Sequence, residues 1–317
     1  MAVAQRTDCI EPRRSNMDPY DCIVIGGGPA GRAAALYFAR FRRRIVLIDA
    51  DRSRSRLIPR IGNYPGLAAE TSGAELLAAQ DEQLSRYRLG RKLSEVESVE
   101  PDEAGFVVST GRERFSTRHV LFATGIADIE PACRDHDRLV LDGLLRYCPV
   151  CDAYETRGMK ICVYGPFAHA APKARFMRAH ARDVTLAATD DPALWPTDQL
   201  QDLAALGVSV IQSDSTQALH RQGKSIFVPR SRAAGDRYDA VYVAMGAIAH
   251  SKLGSAIGVT CDEAGLLQVD DRNRTNIHGV YAVGDVVSDL HQISVAVGHA
   301  AIAASAINKA LPIAPAP

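Results

Sequence analysis

The 317 residues carry 37 basic and 37 acidic side chains, a formal net charge of zero, so no global field draws nucleic acid or an anionic membrane to the chain. With 47% hydrophobic and 23% charged residues it can fill substantial cores, which excludes disordered, collagen-like and small disulfide-scaffold classes and favours two domains of ordinary size. No uninterrupted apolar run reaches the roughly 18 residues of a membrane span, and residues 1–18 are too polar for a secretory signal, so the expectation is a soluble, cytoplasmic protein with no membrane or nucleic-acid partner.

Residues 1–18, with Pro12, Arg13, Arg14 and Ser15 and no apolar period, read as a flexible tail in which Met17 is an alternative start. Residues 22–25 form a buried-strand pattern that runs directly into GGGPAG at 26–31. A helix is predicted over 30–41 and a second strand over 44–48, ending in Asp49. Gly26 permits a tight turn, Gly28 lets a pyrophosphate approach the backbone, and Gly31 allows the helix to pack closely on the strand, while Pro29 and Ala30 sit at the helix start. That start offers unpaired amides and the positive helix end to phosphate, and Asp49 is placed to accept hydrogen bonds from an adenosine ribose. The unit predicts a bound dinucleotide; nothing in it alone selects FAD over NAD.

Strands are next expected at 106–109 and 119–122, the latter leading into Ala123-Thr124-Gly125. A second unit begins after Gly158, with a strand at 160–164, a helix at 168–181 and a strand at 183–187, followed by strands at 208–212, 225–228 and 239–244. The chain closes with a strand at 280–283, the turn Gly284-Asp285 and an alanine-rich helix from about 294 to 311. Gly284-Asp285 can bring a carboxylate to ribityl or phosphate groups, so it is a companion of the first unit and has no place in the second. The reading is therefore an α/β chain of two Rossmann-like dinucleotide-binding domains, the second inserted into the first. Its parts are the tail at 1–18, an FAD-binding domain at 19–126 and 250–317, and an NAD(P)-binding-like domain at 127–249, with hinges near 126–130 and 246–252.

Seven cysteines, at 9, 22, 133, 148, 151, 162 and 261, are an odd and scattered set that does not read as a framework of structural bridges. Cys148-Pro149-Val150-Cys151 stands apart, because two thiols three positions apart can close a local disulfide or bind a metal. Zinc asks for four ligands; no second close pair exists, and His136, His169 and His180 lack compact ligand spacing, so a redox pair with no metal is favoured over zinc or over incidental buried cysteines. Asp152 can carry the proton that thiol exchange moves, or it is an ordinary helix or surface carboxylate. In the second unit the glycine motif is broken: GPFAHA at 165–170 keeps Gly165 but has Phe167 and Ala170 at the second and third glycine positions. The next strand end, AATD at 187–190, has no arginine for a 2′-phosphate, although Asp190 can contact an unphosphorylated ribose. A retained scaffold without its nicotinamide site is the favoured reading. His291 and Gln292 precede the final helix, whose start at Ile293 can stabilise negative charge on a reduced isoalloxazine; His291 either exchanges protons with thiols or flavin or is a solvent-facing histidine.

With these residues in place, the chain resembles the low-molecular-weight thioredoxin reductase family of flavoprotein disulfide reductases from about Tyr20 to Leu311. The matching pieces are GGGPAG at 26–31, NYPG at 63–66, ATG at 123–125, CPVCD at 148–152, GD at 284–285 and HQ at 291–292. The resemblance implies FAD held by Gly26, Gly28, Pro29, Ala30, Gly31, Asp49, Asn63, Ala123, Thr124, Gly125, Gly284, Asp285, Gln292 and Ile293. It implies that Cys151 is the flavin-proximal thiol, Cys148 the exchanging one and Asp152 the acid-base group, and that the protein is a homodimer acting on a small dithiol or disulfide or on a thioredoxin-like protein. The broken second motif makes the chain similar to divergent members that lack pyridine-nucleotide motifs, including dithiol oxidases that pass electrons through FAD to oxygen. The segment 51–60, with Arg52, Arg54, Arg56 and Arg60, also departs from the family's usual glycine-rich stretch. An NAD(P)H-dependent thioredoxin-disulfide reductase with an atypical nucleotide site, and a flavin-containing redox sensor without turnover, are the competing expectations.

Overall fold

The computed structural model describes residues 19–68, 70–287 and 290–313; the tail read at 1–18, with the start proposed at Met17, lies outside the described residues. In chain order the first strands and helices are β1 (Cys22–Ile25), α1 (Pro29–Arg40), β2 (Ile45–Asp49), α2 (Gly73–Ser85), β3 (Gly90–Leu93), β4 (Val96–Asp102), β5 (Gly105–Thr110), β6 (Arg114–Thr117), β7 (Val120–Phe122) and β8 (Ile126–Asp128). Then come α3 (His136–Leu141), β9 (Leu145–Arg146), α4 (Pro149–Asp152), β10 (Lys160–Gly165), α5 (Phe167–Met177), β11 (Asp183–Ala188), α6 (Thr197–Ala205) and β12 (Ser209–Gln212). The remainder is β13 (His220–Gln222), β14 (Ser225–Arg230), β15 (Ala233–Tyr238), β16 (Ala240–Val243), β17 (Ala247–Ala249), α7 (Lys252–Ala256), β18 (Val280–Ala282) and α8 (Ile293–Ala310).

Two five-stranded sheets organise these elements, in the orders β18-β7-β1-β2-β3 and β12-β11-β10-β16-β9, and every pairing within them is parallel. Parallel sheets are covered on both faces, which is why β1 and β10 read as unbroken apolar runs. Each sheet also carries a three-stranded antiparallel meander, β4-β5-β6 in one case and β13-β14-β15 in the other. The fold is thus α/β with two Rossmann-like lobes of the same plan. Because β18 pairs with β7, the last strand completes the first sheet, while the second sheet is built from residues between β8 and β17. Those two strands pair with each other, Ala247 to Asp128 and Ala249 to Ile126, as an antiparallel ribbon where the chain passes between the lobes.

In the first lobe, one core lies between the sheet and α1 with α8: Ala33, Ala34, Ala35 and Phe38 pack with Ala296, Ala300, Ala303, Ala304 and Ile307. The small side chains let the two helices approach closely. The other face of the sheet buries Val99, Phe106 and Val108 of the meander. By length and composition α8, at mean hydropathy 1.2 and 28% buried, is apolar enough to cross a membrane; His299, Asn308 and Lys309 interrupt it, so counting uninterrupted apolar residues passes it over.

Most strand ends lie within one or two residues of their predicted positions. The second-lobe helix ends at Met177 and not 181, because the chain tightens there into turns, Ala179 and His180 donating to Phe176 and Met177. Helix α2 was not anticipated, although Ser72 and Glu75 form a reciprocal capping box at its start, a signal that S-x-x-E at 72–75 carries in the sequence.

Candidate active site

Cys148 caps the one-turn helix α4, Pro149 occupies its first position, and Cys151 donates its backbone N–H to the Cys148 carbonyl at 3.0 Å. This turn brings the two sulfurs together, and they form a disulfide. The pair faces the start of α8 in the other lobe. The side-chain amide of Gln292 donates from Nε2 to Cys151 Sγ at 3.4 Å and to Cys148 Sγ at 3.6 Å. Its carbonyl oxygen accepts from Asn63 Nδ2 at 2.7 Å. Two residues expected near the cofactor, one from the NYPG segment and one from the helix start, therefore meet at the disulfide.

Asp152, directly after the pair in sequence, is held by Arg146 Nη1 at 3.1 Å and by the Tyr242 hydroxyl, which donates at 2.6 Å. Burial pushes its carboxyl above the ordinary carboxylate range, against the lowering by Arg146 and Tyr242. Neither partner was singled out in the sequence: Arg146 sits on an edge strand and Tyr242 reads only as strand β16. Next to Cys148, the Tyr147 hydroxyl meets His136 Nε2 at 2.7 Å, and Lys173 Nζ donates to the carbonyls of Tyr147 and Val243 at 3.0 and 2.8 Å. His136 is thus engaged with Tyr147. Among the described residues no three His, Cys, Asp or Glu side chains converge as a metal site.

The first-lobe glycine turn fits a dinucleotide. Gly26 has φ +104°, and a Cβ on Gly31 would stand 1.8 Å from the Gly26 carbonyl oxygen, so the turn and the close approach of α1 to β1 both require glycine. At Gly28 a Cβ would meet only the Ser53 hydroxyl, at 3.4 Å, and α1 has no side-chain cap on its first amides, which leaves a phosphate approach open. Ala123 packs behind the turn: its carbonyl would lie 2.2 Å from a Cβ on Gly26. The Asp49 carboxylate lies beside Gly27, accepts the Asp51 N–H at 3.1 Å and sits 3.6 Å from Arg32 Nη1. Gly284, at φ +74°, lets its turn lie against Ala30 and Ala296, so the two parts of the first lobe meet at the start of α1. Asp285 stands 3.8 Å from Arg54, whose guanidinium also holds Asp128 with bonds of 2.5 and 3.0 Å. Thr124 and Gly125 are tied to the interlobe ribbon: Thr124 Oγ1 donates to the His250 carbonyl at 2.8 Å, and His250 N–H donates to Gly125 O at 3.0 Å. His291 Nε2 is buried with no hydrogen-bond partner among the described residues, and Gln292 starts α8 without a side-chain cap, so this junction presents an unsatisfied ring nitrogen and an open helix end.

In the second lobe the first amide of α5 is engaged by a side chain of the same lobe. The Asp190 carboxylate accepts the Phe167 N–H at 3.0 and 3.1 Å, the first amide of α5, and accepts the Trp195 indole N–H at 3.1 Å. The Phe167 ring, 2% exposed, stacks on Trp195 with centroids 5.5 Å apart and planes 17° from parallel. Asp190 therefore points at its own helix and indole, and Trp195 is a member of this site that no sequence pattern marked.

Comparison with known proteins agrees with this geometry. The chain is 28% identical over 306 residues to a protein named thioredoxin reductase from Peptoclostridium acidaminophilum, covering 92% of this chain and 96% of that one. Among solved structures it superposes on HlmI with a TM-score of 0.82, 27% identity and 93% of each chain covered. It superposes on thioredoxin reductase from Streptococcus pyogenes with a TM-score of 0.80 and 25% identity, covering 92% of this chain and 97% of that one. The profile described as pyridine nucleotide-disulphide oxidoreductase matches residues 20–300. With two Rossmann-like lobes, a disulfide in the second that faces the first, and a match over most of its length, the chain belongs to the pyridine nucleotide-disulphide oxidoreductase family and is thioredoxin-reductase-like within it.

Proposed function

We propose that the protein is an FAD-dependent thiol/disulfide oxidoreductase that passes electrons between the Cys148–Cys151 pair and FAD and draws them inefficiently from NADPH. The observation that supports this reading is the Asp190 carboxylate, which accepts from the first amide of α5 and from the indole of Trp195, so that the amide a pyrophosphate would meet is already engaged. Losing charge-assisted phosphate bonds costs roughly 1.5–3 kcal/mol apiece. In this reading residues 19–126 and 250–317 form the FAD-binding domain, and 127–249 the domain that carries the pair. Gly26, Gly28 and Gly31 take the pyrophosphate, Asp49 the ribose, and Asp285 with the α8 start the ribityl chain and ring.

A substrate thiolate attacks Cys148 Sγ; the new S–S bond forms as the Cys148–Cys151 bond breaks, and Cys151 leaves as a thiolate. The second substrate thiolate attacks the substrate sulfur of this mixed disulfide, which releases Cys148. The substrate is oxidised by two electrons to its disulfide and the pair is reduced by the same two. FAD held by the residues named above would supply the two-electron redox chemistry that links the reduced pair to oxygen or another acceptor. Asp152, held ready by Tyr242 and Arg146 with its proton affinity raised by burial, is positioned to exchange the protons released. Val150 and Tyr154, 56% and 76% exposed beside the pair, give an apolar rim for a small dithiol or a thioredoxin-like partner. We assign the protein, as a homodimer, to the cytoplasm.

A second reading, an NAD(P)H-dependent thioredoxin-disulfide reductase with an atypical nucleotide site, is favoured by several relatives, since curated sequences that match 92% of the chain carry the name thioredoxin reductase. Anaerobic stopped-flow mixing separates the two. The first reading expects little bleaching of the flavin by NADPH or NADH and rapid bleaching by a dithiol through Cys148 and Cys151. Fast reduction by micromolar NADPH returns the protein to the reductase class.

A further inference from the structure

We infer that Gln292 is a catalytic residue of the thiol exchange, its amide N–H stabilising the Cys151 thiolate, and that Asn63 is the positioning residue that turns this amide toward the sulfurs. The inference rests on the reading of Cys148–Cys151 as a redox pair and adds to it the group that carries the charge.

When a thiolate attacks Cys148, the sulfur that must leave with the negative charge is Cys151, and exchange is faster when the leaving thiol is more acidic. A donor already aimed at that sulfur is worth most as the charge develops. Gln292 Nε2 lies 3.4 Å from Cys151 Sγ and 3.6 Å from Cys148 Sγ, whereas its carbonyl oxygen is farther, 3.7 Å from Cys151 Sγ. An amide can point either its N–H or its carbonyl at a thiolate, and only the first is stabilising. Asn63 decides between them, because its Nδ2 donates to Gln292 Oε1 at 2.7 Å and occupies the carbonyl. Asp152 does not supply this charge stabilisation: its carboxylate is engaged by Arg146 and Tyr242, and a carboxylate raises the proton affinity of a neighbouring thiol. Position α8 adds to the effect, since Gln292 is its N-cap residue and the helix end presents positive potential on the same side.

The test uses the flavin-loaded Cys148→Ser variant, where Cys151 is the single thiol of the pair. Iodoacetamide labelling of the Cys151 peptide is followed by mass spectrometry from about pH 5 to about pH 10. Gln292→Ala is expected to raise the labelling midpoint by about one pH unit, a tenfold loss of thiolate at pH values below it. Gln292→Glu raises it further by like-charge repulsion. Asn63→Ala moves it in the same direction by less, because a freed amide still spends time with its N–H toward sulfur. Flavin content is measured on every sample. A midpoint that stays with the parent in Gln292→Ala and Gln292→Glu overturns the inference, and so does loss of flavin with no change of midpoint, which assigns both residues to cofactor binding alone. Failure of any dithiol to bleach the flavin of the wild-type protein sinks the proposed function while leaving this titration readable.

Discussion

At the scale of single residues, the two cysteines are not equivalent, and the flavin itself can report which is which. If Cys151 is the flavin-proximal sulfur, Cys148→Ser leaves a thiolate beside the flavin and a long-wavelength charge-transfer band appears, while Cys151→Ser abolishes it; a band in the second variant and none in the first reverses the roles. A different residue sets an acid limit on stability. His119 is buried in the first lobe, with Nδ1 3.1 Å from the Asp21 carbonyl, and burial lowers its pKa below the ordinary 6.5, the Asp21 carbonyl opposing. Above about 6.5 neither state binds the proton and the full stability is present. As pH falls from there toward the lowered folded value, the unfolded chain takes up a proton that the native state refuses, so stability declines. His119→Gln keeps a donor for Asp21 and removes that dependence; urea unfolding across this window should show a shallower slope than wild type by up to one proton.

At the scale of elements, the first lobe depends on how closely α1 can lie on its neighbours. A Cβ at Gly31 collides with the Gly26 carbonyl at 1.8 Å, a backbone atom that cannot swing aside. Gly31→Ala is therefore expected to destabilise by about 1–3 kcal/mol and to lose flavin, since the phosphate turn moves with the helix; thermal unfolding and flavin content measure the two effects. In the core that α1 shares with α8, Ala300 and Ala303 are fully buried. A leucine at either has no volume to enter, and a loss of similar size is expected without direct damage to the phosphate turn. The pattern of 280–311 marks a strand, a Gly-Asp turn and an apolar helix, whereas the packing shows why the helix is rich in alanine and not merely apolar.

At the scale of the whole molecule, the arrangement of the lobes is fixed where chain segments far apart in sequence meet. Arg54, from the segment that departs from the family pattern, holds Asp128 of the ribbon through two bonds and approaches Asp285. Leu57 of the same short helix, Arg54–Leu57, packs against the second-lobe core around Leu139, Val140 and Tyr147. A double-mutant cycle with Arg54→Ala and Asp128→Ala should return a coupling of about 1–2 kcal/mol, tempered by partial exposure of both groups. Additive effects in urea unfolding argue instead that the pair contributes nothing to holding the lobes.

The sequence by itself determined the local requirements. Glycine at 26, 28 and 31, unbroken apolar runs for strands covered on both faces, and two thiols one helical turn apart are each imposed by neighbours a few residues away, so spacing reports them. It also carried the loss of the second glycine motif at Phe167. Only the tertiary structure decided what those features face. Trp195 meets Phe167 after 28 intervening steps of chain, Tyr242 meets Asp152 across 90 residues, and Gln292 meets Cys151 across 141 and Asn63 across 229. No periodicity extends over such separations. They arise because two parallel sheets place the carboxyl ends of their strands, and the loops that follow them, at the junction of the lobes, where residues without any local signature complete the site.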